Sequence, residues 1–235
     1  MRVQLMLTCL CDGVAGDVGI ATVTVLEHLG CEVSFPSEQT CCGQPPFNGG
    51  DWVTAKEIAV RNVEVFSLAD EYDPVVTPST SCAAMLRHGY PMLSMPAASR
   101  AYELCEFIVD VLGRDEWQGE IPARHIGLHE ACHGRVLGTN GHQRKLLESI
   151  SGAELIPFGS DEQCCGFGGS FCTTHGKVSE SIGLEKLQQL RDAGVEQVVS
   201  GDMGCLLHLQ GLIDRNGIEL STLHIAQVLA EAISA

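Results

Sequence analysis

The sequence has few basic residues and no long apolar run. Lysine and arginine total 14 against 30 aspartates and glutamates, which gives a formal net charge of −16. Such a surface repels phosphate backbones and argues against nucleic acid as a partner, while simple solubility explains the acidic excess. No segment approaches the ~20 apolar residues of a transmembrane helix, and Met1–Leu7 is too short for a signal peptide. We therefore predict a cytoplasmic protein without a transmembrane segment.

Several chemical motifs are also missing. No G-x-G-x-x-G fingerprint follows the first predicted strand and no Walker loop occurs, so nucleotide binding is not indicated. No Ser-His-Asp arrangement for hydrolysis stands out. The chain also contains no C-x₂-C pair, the usual source of zinc ligands.

Cysteine, by contrast, is abundant and repeats in a regular way. Of the 12 cysteines, eight form two sets in which each member of the second follows its counterpart by 123 residues. The sets are Cys9, Cys41, Cys42 and Cys82, and Cys132, Cys164, Cys165 and Cys205. An ordinary core does not need thiols at matched positions, whereas soft metals and iron–sulfur clusters do. Because structural disulfides are rare in the cytoplasm, the pattern predicts a duplicated metal-binding unit.

The apolar pattern repeats together with the cysteines and predicts an α/β fold. We predict two pseudo-symmetric lobes, residues 1–118 and 119–235, each with a small parallel sheet flanked by helices. The predicted strands are Val3–Leu7, Glu32–Phe35 and Pro74–Thr77, then Ile126–Leu128, Glu154–Pro157 and Glu196–Ser200. The predicted helices are Gly19–Leu29, Trp52–Leu68 and Ser99–Leu112, then Gln143–Ile150, Val178–Ala193 and Ser221–Ile233. Every repeated cysteine then follows the carboxyl end of a strand, where sites form in such sheets.

Glycine follows both Cys-Cys pairs. Gly43 and Gly166 lie directly after the pairs, and Gly168 and Gly169 extend the second loop. Glycine lets backbone N–H groups approach cluster sulfur, although tight turns alone also explain it. Four thiolates in each lobe suit one iron–sulfur cluster per lobe, expected to be [4Fe–4S]. Zinc stays an alternative, in one of the sites or introduced during isolation.

The cysteine motifs resemble those of the CCG-domain (cysteine-rich domain) iron–sulfur oxidoreductases over nearly the whole chain. The residues that carry the resemblance are Thr40–Pro45, Thr77–Met85 and Cys164–Gly169. This family includes a subunit of heterodisulfide reductase, the iron–sulfur subunit of glycolate oxidase and the lactate utilization A group, to which these motifs are most similar. The resemblance implies an oxidoreductase component that works with other lactate-utilization iron–sulfur subunits, oxidising L-lactate, a 2-hydroxy acid, to pyruvate.

Ser79 and Asp202 depart from the heterodisulfide reductase pattern, which by resemblance has a fifth cysteine three residues before the last one in each module. Without it, a heterodisulfide or thiol–disulfide reductase becomes an alternative that the sequence disfavours. An oxygen ligand is one reading of Asp202 and, less readily, of Ser79, but N-capping of the following helices is favoured. A zinc-binding structural subunit is a third hypothesis.

Three residues near Cys132 are candidate catalytic groups. His129 and His133 flank this cysteine and would serve a proton transfer, metal ligation or a hydrogen bond to cluster sulfur. Arg135 would suit a substrate carboxylate. A hydrogen-bonded structural role fits each histidine, and the weaker candidate His208, about equally well. Four cysteines remain. Cys11 is interpreted as a bystander or a thiol behind the ligands, and Cys31 and Cys105 as core residues. Cys172 is interpreted as a possible neighbour of the second site.

Overall fold

The structure is a computed structural model that describes residues 1–67, 73–160 and 162–234. It contains two four-stranded parallel sheets with strand orders β2-β1-β3-β4 and β6-β5-β7-β8. The strands are β1 Arg2–Leu5, β2 Glu32–Ser34, β3 Val75–Thr77, β4 Ala101–Glu103, β5 Glu120–Leu128, β6 Ser151–Leu155, β7 Gln197–Ser200 and β8 Ser221–His224. The predicted duplicated α/β fold is confirmed.

Helices connect the strands of each sheet. Those of the first lobe are α1 Cys9–Val14, α2 Gly16–His28, α3 Gln44–Asn48, α4 Trp52–Ser67, α5 Thr80–Ala84, α6 Tyr90–Met92 and α7 Leu104–Glu106. Those of the second lobe are α8 Cys132–Leu137, α9 His142–Glu148, α10 Phe171–Thr174, α11 Gly176–Asp192, α12 Met203–Asn216 and α13 Ile225–Ala232. Two π-helical segments, Met85–Gly89 and Phe107–Val111, extend α5 and α7. Leu68, the last residue of the predicted helix Trp52–Leu68, lies outside the described residues.

Two of the predicted helices are wrong at their first residues. Instead of Ser99–Leu112 and Ser221–Ile233, the chain forms the outer strands β4 and β8 before α7 and α13 begin. Both strands are only three or four residues long and run directly into a helix. A segment this short contains too few residues to show strand alternation, so the helical period that follows dominates the pattern.

A further helix, α1, also differs from the expectation. The predicted elements leave the segment between β1 and α2 unassigned, yet Cys9 is the first residue of a short helix. Thr8 starts it, because its side-chain oxygen accepts the Cys11 N–H at 3.1 Å.

The two lobes share one hydrophobic core. Helix α13 of the second lobe packs on α2 of the first, and α7 packs on α9 in the equivalent arrangement. Val25, Phe107 and Leu229 are fully buried in this shared core. The indole N–H of Trp117, in the segment between the sheets, donates to the Leu229 carbonyl at 3.0 Å. The sheets lie on either side of the boundary predicted between residues 118 and 119, and the division itself stays a prediction.

No described helix is both long and apolar enough to cross a bilayer.

His224 joins the lobes through a buried hydrogen bond. Its Nδ1 accepts the Ala226 N–H at 3.1 Å, so Nε2 carries the proton and donates to the Pro78 carbonyl of the first lobe at 3.1 Å. The ring has no exposed surface. Burial lowers the pKa of His224 to about 4, against a smaller opposing effect of Asp202. The fold therefore requires the neutral imidazole.

We expect this histidine to make the protein sensitive to mild acid. Because its pKa is lower in the folded chain than in the unfolded one, the stabilisation is complete above about pH 6.5 and is lost as the pH falls towards 4. Between pH 7 and 5 the loss amounts to about 2 kcal/mol of unfolding free energy. Urea unfolding of the wild type and His224→Gln at both pH values measures it. An equal pH dependence in the two proteins would contradict the assignment.

Candidate metal centres

The carboxyl ends of three strands in each sheet position the repeated cysteines. In the first lobe, Cys9 opens α1 after β1, Cys82 lies in the first turn of α5 after β3, and the Cys-Cys pair occupies the loop between β2 and α3. The second lobe repeats this arrangement with Cys132 in α8, Cys205 in α12 and the pair before α10. Loops from neighbouring parallel strands meet at one edge of the sheet.

The first-lobe thiols form one connected group. The Sγ atoms of Cys9 and Cys41 are 3.6 Å apart. Hydrogen bonds from the thiols of Cys42 and Cys9 lower the pKa of Cys41. Hydrogen bonding to Cys41 and Cys82, together with burial, raises the pKa of Cys42. Four thiols thus lie together in a confined space, where a metal cation would replace their protons.

A cavity of about 310 Å³ opens beside this group. All four first-lobe cysteines line it, and the opposite wall comes from the second lobe: Phe167, Gly169, Cys172 and Asp202. The first site therefore faces the junction between the lobes.

The second-lobe thiols are also close together. The Sγ atoms of Cys165 and Cys205 are 2.7 Å apart. Hydrogen bonding to Cys165, together with burial, raises the pKa of Cys164. Burial, followed by the negative charge of nearby Cys164, raises the pKa of Cys132. The structure thus gathers four cysteines in each lobe.

His129 is buried beside the second group. Its ring nitrogen and the Sγ atoms of Cys165 and Cys205 lie within 4.8 Å of one another. Burial, followed by the positive charges of Lys186 and Arg135, lowers the pKa of His129 to about 3. Neither ring nitrogen has a hydrogen-bond partner within residues 1–67, 73–160 and 162–234. Such an unsatisfied buried imidazole is uncommon and calls for an explanation.

Gly43 and Gly166 bring backbone N–H groups to the thiols. Gly43 N lies 3.5 Å from the Cys41 sulfur, and Gly166 N lies 3.3 Å from the Cys164 sulfur. Both glycines have positive φ, 88° and 94°, which a residue with a Cβ rarely adopts. A Cβ on Gly166 would also meet the Ser179 carbonyl at 2.5 Å.

The other two glycines of the second-lobe Cys-Cys-Gly loop, Gly168 and Gly169, have different surroundings. Both have positive φ, but Gly168 packs near Phe171 and Gly169 lines the cavity of the first lobe.

Ser79 and Asp202 face each other where the lobes meet. Ser79 Oγ donates to Asp202 Oδ2 at 3.2 Å, and Oδ2 also accepts the Ser81 N–H at 2.9 Å. Each residue caps its own helix, since Ser79 Oγ accepts from Cys82 N and Asp202 Oδ1 from Gly204 N. The favoured N-capping role is confirmed for both residues.

His133 forms a contact between the lobes. Its Nε2 lies 3.0 Å from the side-chain nitrogen of Gln44, which donates to the Ser81 carbonyl as well. Its Nδ1 is 3.7 Å from the Cys132 sulfur. The ring therefore lies between the second-lobe cysteines and the first-lobe Cys-Cys-Gly loop. Burial lowers the pKa of His133, so the neutral form is favoured.

Arg135 and His208 lie at the margin of the second site. Arg135 Nη2 is 3.5 Å from the Glu162 carbonyl in an exposed position. The His208 ring lies 3.4 Å from Ser179 Oγ and 3.3 Å from its carbonyl oxygen. His208 thus has the hydrogen-bonded surroundings of a structural histidine.

The remaining four cysteines have separate environments. Cys31 and Cys105 are buried in the core that the lobes share, as predicted. Cys11 is fully buried in a small apolar cluster with Ala15 and Val18. Cys172 lines the first-lobe cavity and its thiol donates to the Gly169 carbonyl at 3.1 Å. It therefore faces the first site, although the sequence associates it with the second.

Two residues beside the sites, Gln44 and Lys186, are not among the predicted site residues. Gln44 is adjacent to Gly43, and its place directly after the motif was the available signal. Lys186 is 1% exposed, with its Nζ 5.0 Å from the centre of the Phe158 ring. Lys186 belongs to no motif of the sequence. The residue 123 positions earlier is Val63, so the repeat does not mark this position either. Its charge lowers the pKa of Cys164 against the stronger raising effects.

Both groups of thiols fit a soft metal or an iron–sulfur cluster. Thiolates are the ligands that iron–sulfur clusters use, and N–H groups directed at sulfur stabilise their negative charge. Each lobe offers four thiols and one glycine N–H close to a sulfur atom. None of the 12 cysteines is in a disulfide, so every thiol is available.

Comparison with known proteins agrees with this duplication. The family model described as a cysteine-rich domain, CCG, matches residues 3–87 and again residues 126–210. The chain belongs to the CCG cysteine-rich domain family. Each match includes all or part of three of the four strands of one lobe, together with its four repeated cysteines.

Curated relatives extend over almost the full chain. A protein of Geobacillus kaustophilus named "Lactate utilization protein A" is 42% identical over 239 residues, covering 97% of this chain and 98% of that protein. The protein of the same name from Oceanobacillus iheyensis is 39% identical and covers 97% of this chain and 96% of its own length. Among solved structures, a hypothetical protein from Helicobacter pylori has a TM-score of 0.61 at 12% identity. It matches all of this CCG-family chain but only 49% of its own length, and it shows likeness of fold alone.

Proposed function

We propose that this protein is an iron–sulfur redox component of a multisubunit system that oxidises L-lactate to pyruvate in the cytoplasm. Two matched groups of four cysteines at the carboxyl edges of two parallel sheets carry the proposal. Curated relatives of nearly equal length that are named "Lactate utilization protein A" support the substrate class.

The repeated cysteines would hold one cluster per lobe, expected to be [4Fe–4S]. Cys9, Cys41, Cys42 and Cys82 would hold the first, and Cys132, Cys164, Cys165 and Cys205 the second. A bound cluster accepts and passes on single electrons. Gly43 and Gly166 would donate N–H groups to the sulfur atoms, with the loop glycines Gly168 and Gly169 keeping the backbone close.

The residues around Cys132 would handle protons and the substrate carboxylate. Oxidation of L-lactate to pyruvate releases two electrons and two protons, so a base near an electron carrier is useful. His133, neutral and 3.7 Å from the Cys132 sulfur, would take a proton. Arg135, exposed at the rim of the same site, would pair with a carboxylate.

The heterodisulfide reductase alternative gains no support from the positions of Ser79 and Asp202. Both side chains form N-cap hydrogen bonds and a hydrogen bond with each other. Neither supplies a thiol where that enzyme class has one. We therefore favour electron transfer over disulfide cleavage.

The proposal predicts a coloured, redox-active protein. We expect the anaerobically purified chain to be brown, to contain iron and acid-labile sulfide, and to bleach on reduction by dithionite. Together with its co-expressed partner subunits, the protein should also bleach when L-lactate is added.

The enantiomer provides the matched control for this experiment. D-lactate should leave the absorption of the same complex unchanged. A colourless protein that carries stoichiometric zinc after anaerobic purification would contradict the redox role and favour a structural zinc subunit.

A further inference from the structure

We propose that His129 is a nitrogen ligand of the second-lobe metal centre and binds it together with Cys165 and Cys205. The proposal rests on the proposed function, since it concerns the donor atoms of one of its two centres. One of the more exposed thiols, Cys132 or Cys164, is the fourth ligand, so His129 replaces the other one in the all-cysteine set given above. The two lobes then hold chemically different centres.

Position and burial of the ring carry this inference. A ring nitrogen of His129 and the Sγ atoms of Cys165 and Cys205 lie within 4.8 Å of one another, and all three residues are buried. The residue is 2% exposed, and both ring nitrogens lack a hydrogen-bond partner among the described residues. A buried imidazole without a hydrogen bond is costly unless another interaction satisfies it. A metal ion bound by the two neighbouring thiolates supplies that interaction, because imidazole and thiolate are both good ligands for iron and zinc.

The ring is also held in place from its own backbone. His129 directly follows β5, and its backbone N–H donates to the Val199 carbonyl of β7 at 2.8 Å. This bond extends the ladder between β5 and β7 by one residue and fixes the side chain at the edge where the cysteines gather. A ligand held by a sheet is well positioned before the metal arrives.

The equivalent position of the first lobe carries no such donor. The residue 123 positions before His129 is Met6, which is fully buried in an apolar cluster. The first centre therefore depends on thiolates, whereas the second includes a neutral nitrogen. Replacing a thiolate by imidazole removes one negative charge and raises the reduction potential of an iron–sulfur centre. Electrons entering the first lobe would thus flow towards the second.

Burial of the ring also favours ligation over the general-base role expected from the sequence. A base must reach its substrate proton directly or through one water molecule. His133 lies at the junction of the lobes and is better situated for that task.

Nitrogen ligation can be tested in a variant that retains only the second centre. We would prepare Cys42→Ser protein anaerobically, with ¹⁵N-histidine and at natural abundance, and record electron spin-echo envelope modulation after reduction. We expect a nitrogen coupling that changes with the isotope. It should disappear in Cys42→Ser/His129→Ala and persist in Cys42→Ser/His208→Ala, the matched control.

The outcomes separate this inference from the proposed function. Iron-containing protein without an isotope-sensitive coupling would overturn His129 as a ligand and leave the redox role intact. Coupling that survives in the His129 variant would do the same. Protein without iron but with zinc in this lobe would refute the redox role there, and zinc-edge X-ray absorption with imidazole scattering would still support His129. Zinc bound without imidazole, or no metal at all, would refute His129 as a ligand.

Discussion

Replacing Cys42 with serine is expected to remove about half of the protein-bound iron, because one of the two proposed clusters would then lack a ligand. Cys42 is 3% exposed and contacts both Cys41 and Cys82, so it lies at the centre of the first group of thiols. A serine hydroxyl is a poor substitute for a thiolate towards iron. The equivalent change, Cys165→Ser, should remove the other half. Iron and sulfide per chain after anaerobic purification measure both effects.

The core cysteines provide the control for this experiment. Cys31→Ala changes a cysteine that is 7% exposed in the shared core and belongs to neither set of repeated cysteines. We expect its iron content to equal that of the wild type. Loss of all iron from either Cys42→Ser or Cys165→Ser would indicate a single shared centre and contradict two independent ones.

Removing the Asp202 carboxylate is expected to destabilise the protein by about 3–5 kcal/mol. The side chain accepts three hydrogen bonds, from Ser79 Oγ, Ser81 N and Gly204 N, and is 5% exposed. Asp202→Ala leaves these donors without a partner in a buried place and also removes the cap of α12. The free energy of urea unfolding, measured anaerobically with the clusters bound, gives the change.

Ser79→Ala is the matched comparison, because its hydroxyl occupies the equivalent place in the first lobe. Losing that cap and one bond to Asp202 should cost about 1–2 kcal/mol. The double variant should be less destabilised than the sum of the two, since the single changes remove the same bond. Strictly additive effects would mean that the two residues do not interact.

The regular cysteine spacing explains why the sequence predicts so much of this molecule. A cysteine must reach its site from the end of a particular strand, so the 123-residue repeat indicates both the duplication and the strand ends that meet at each site. Inner strands such as Val75–Thr77 are buried throughout and therefore show as apolar runs.

Other features depend on contacts that the sequence does not express. The outer strand Ala101–Glu103 exists because it pairs with β3, and its own residues show little strand pattern. The isolation of the His129 ring appears only when β5, β7 and the two thiols are seen together. Lys186 likewise occupies a helix position whose burial depends on packing against Phe158. The residues in these contacts are far apart in the sequence, so the sequence alone does not show that they meet.

The contact between Ser79 and Asp202 lies where a two-fold axis relating the lobes would pass, since these residues hold equivalent positions 123 apart. In a dimer of identical single lobes, whatever residue stood at that point would meet its own copy. Two aspartates would repel each other, whereas two serines would lack a strong acceptor. Joining both copies in one polypeptide lets the halves differ at the point of self-contact. The same freedom extends to Met6 and His129, so fusion permits the two proposed metal centres to differ within one symmetric frame.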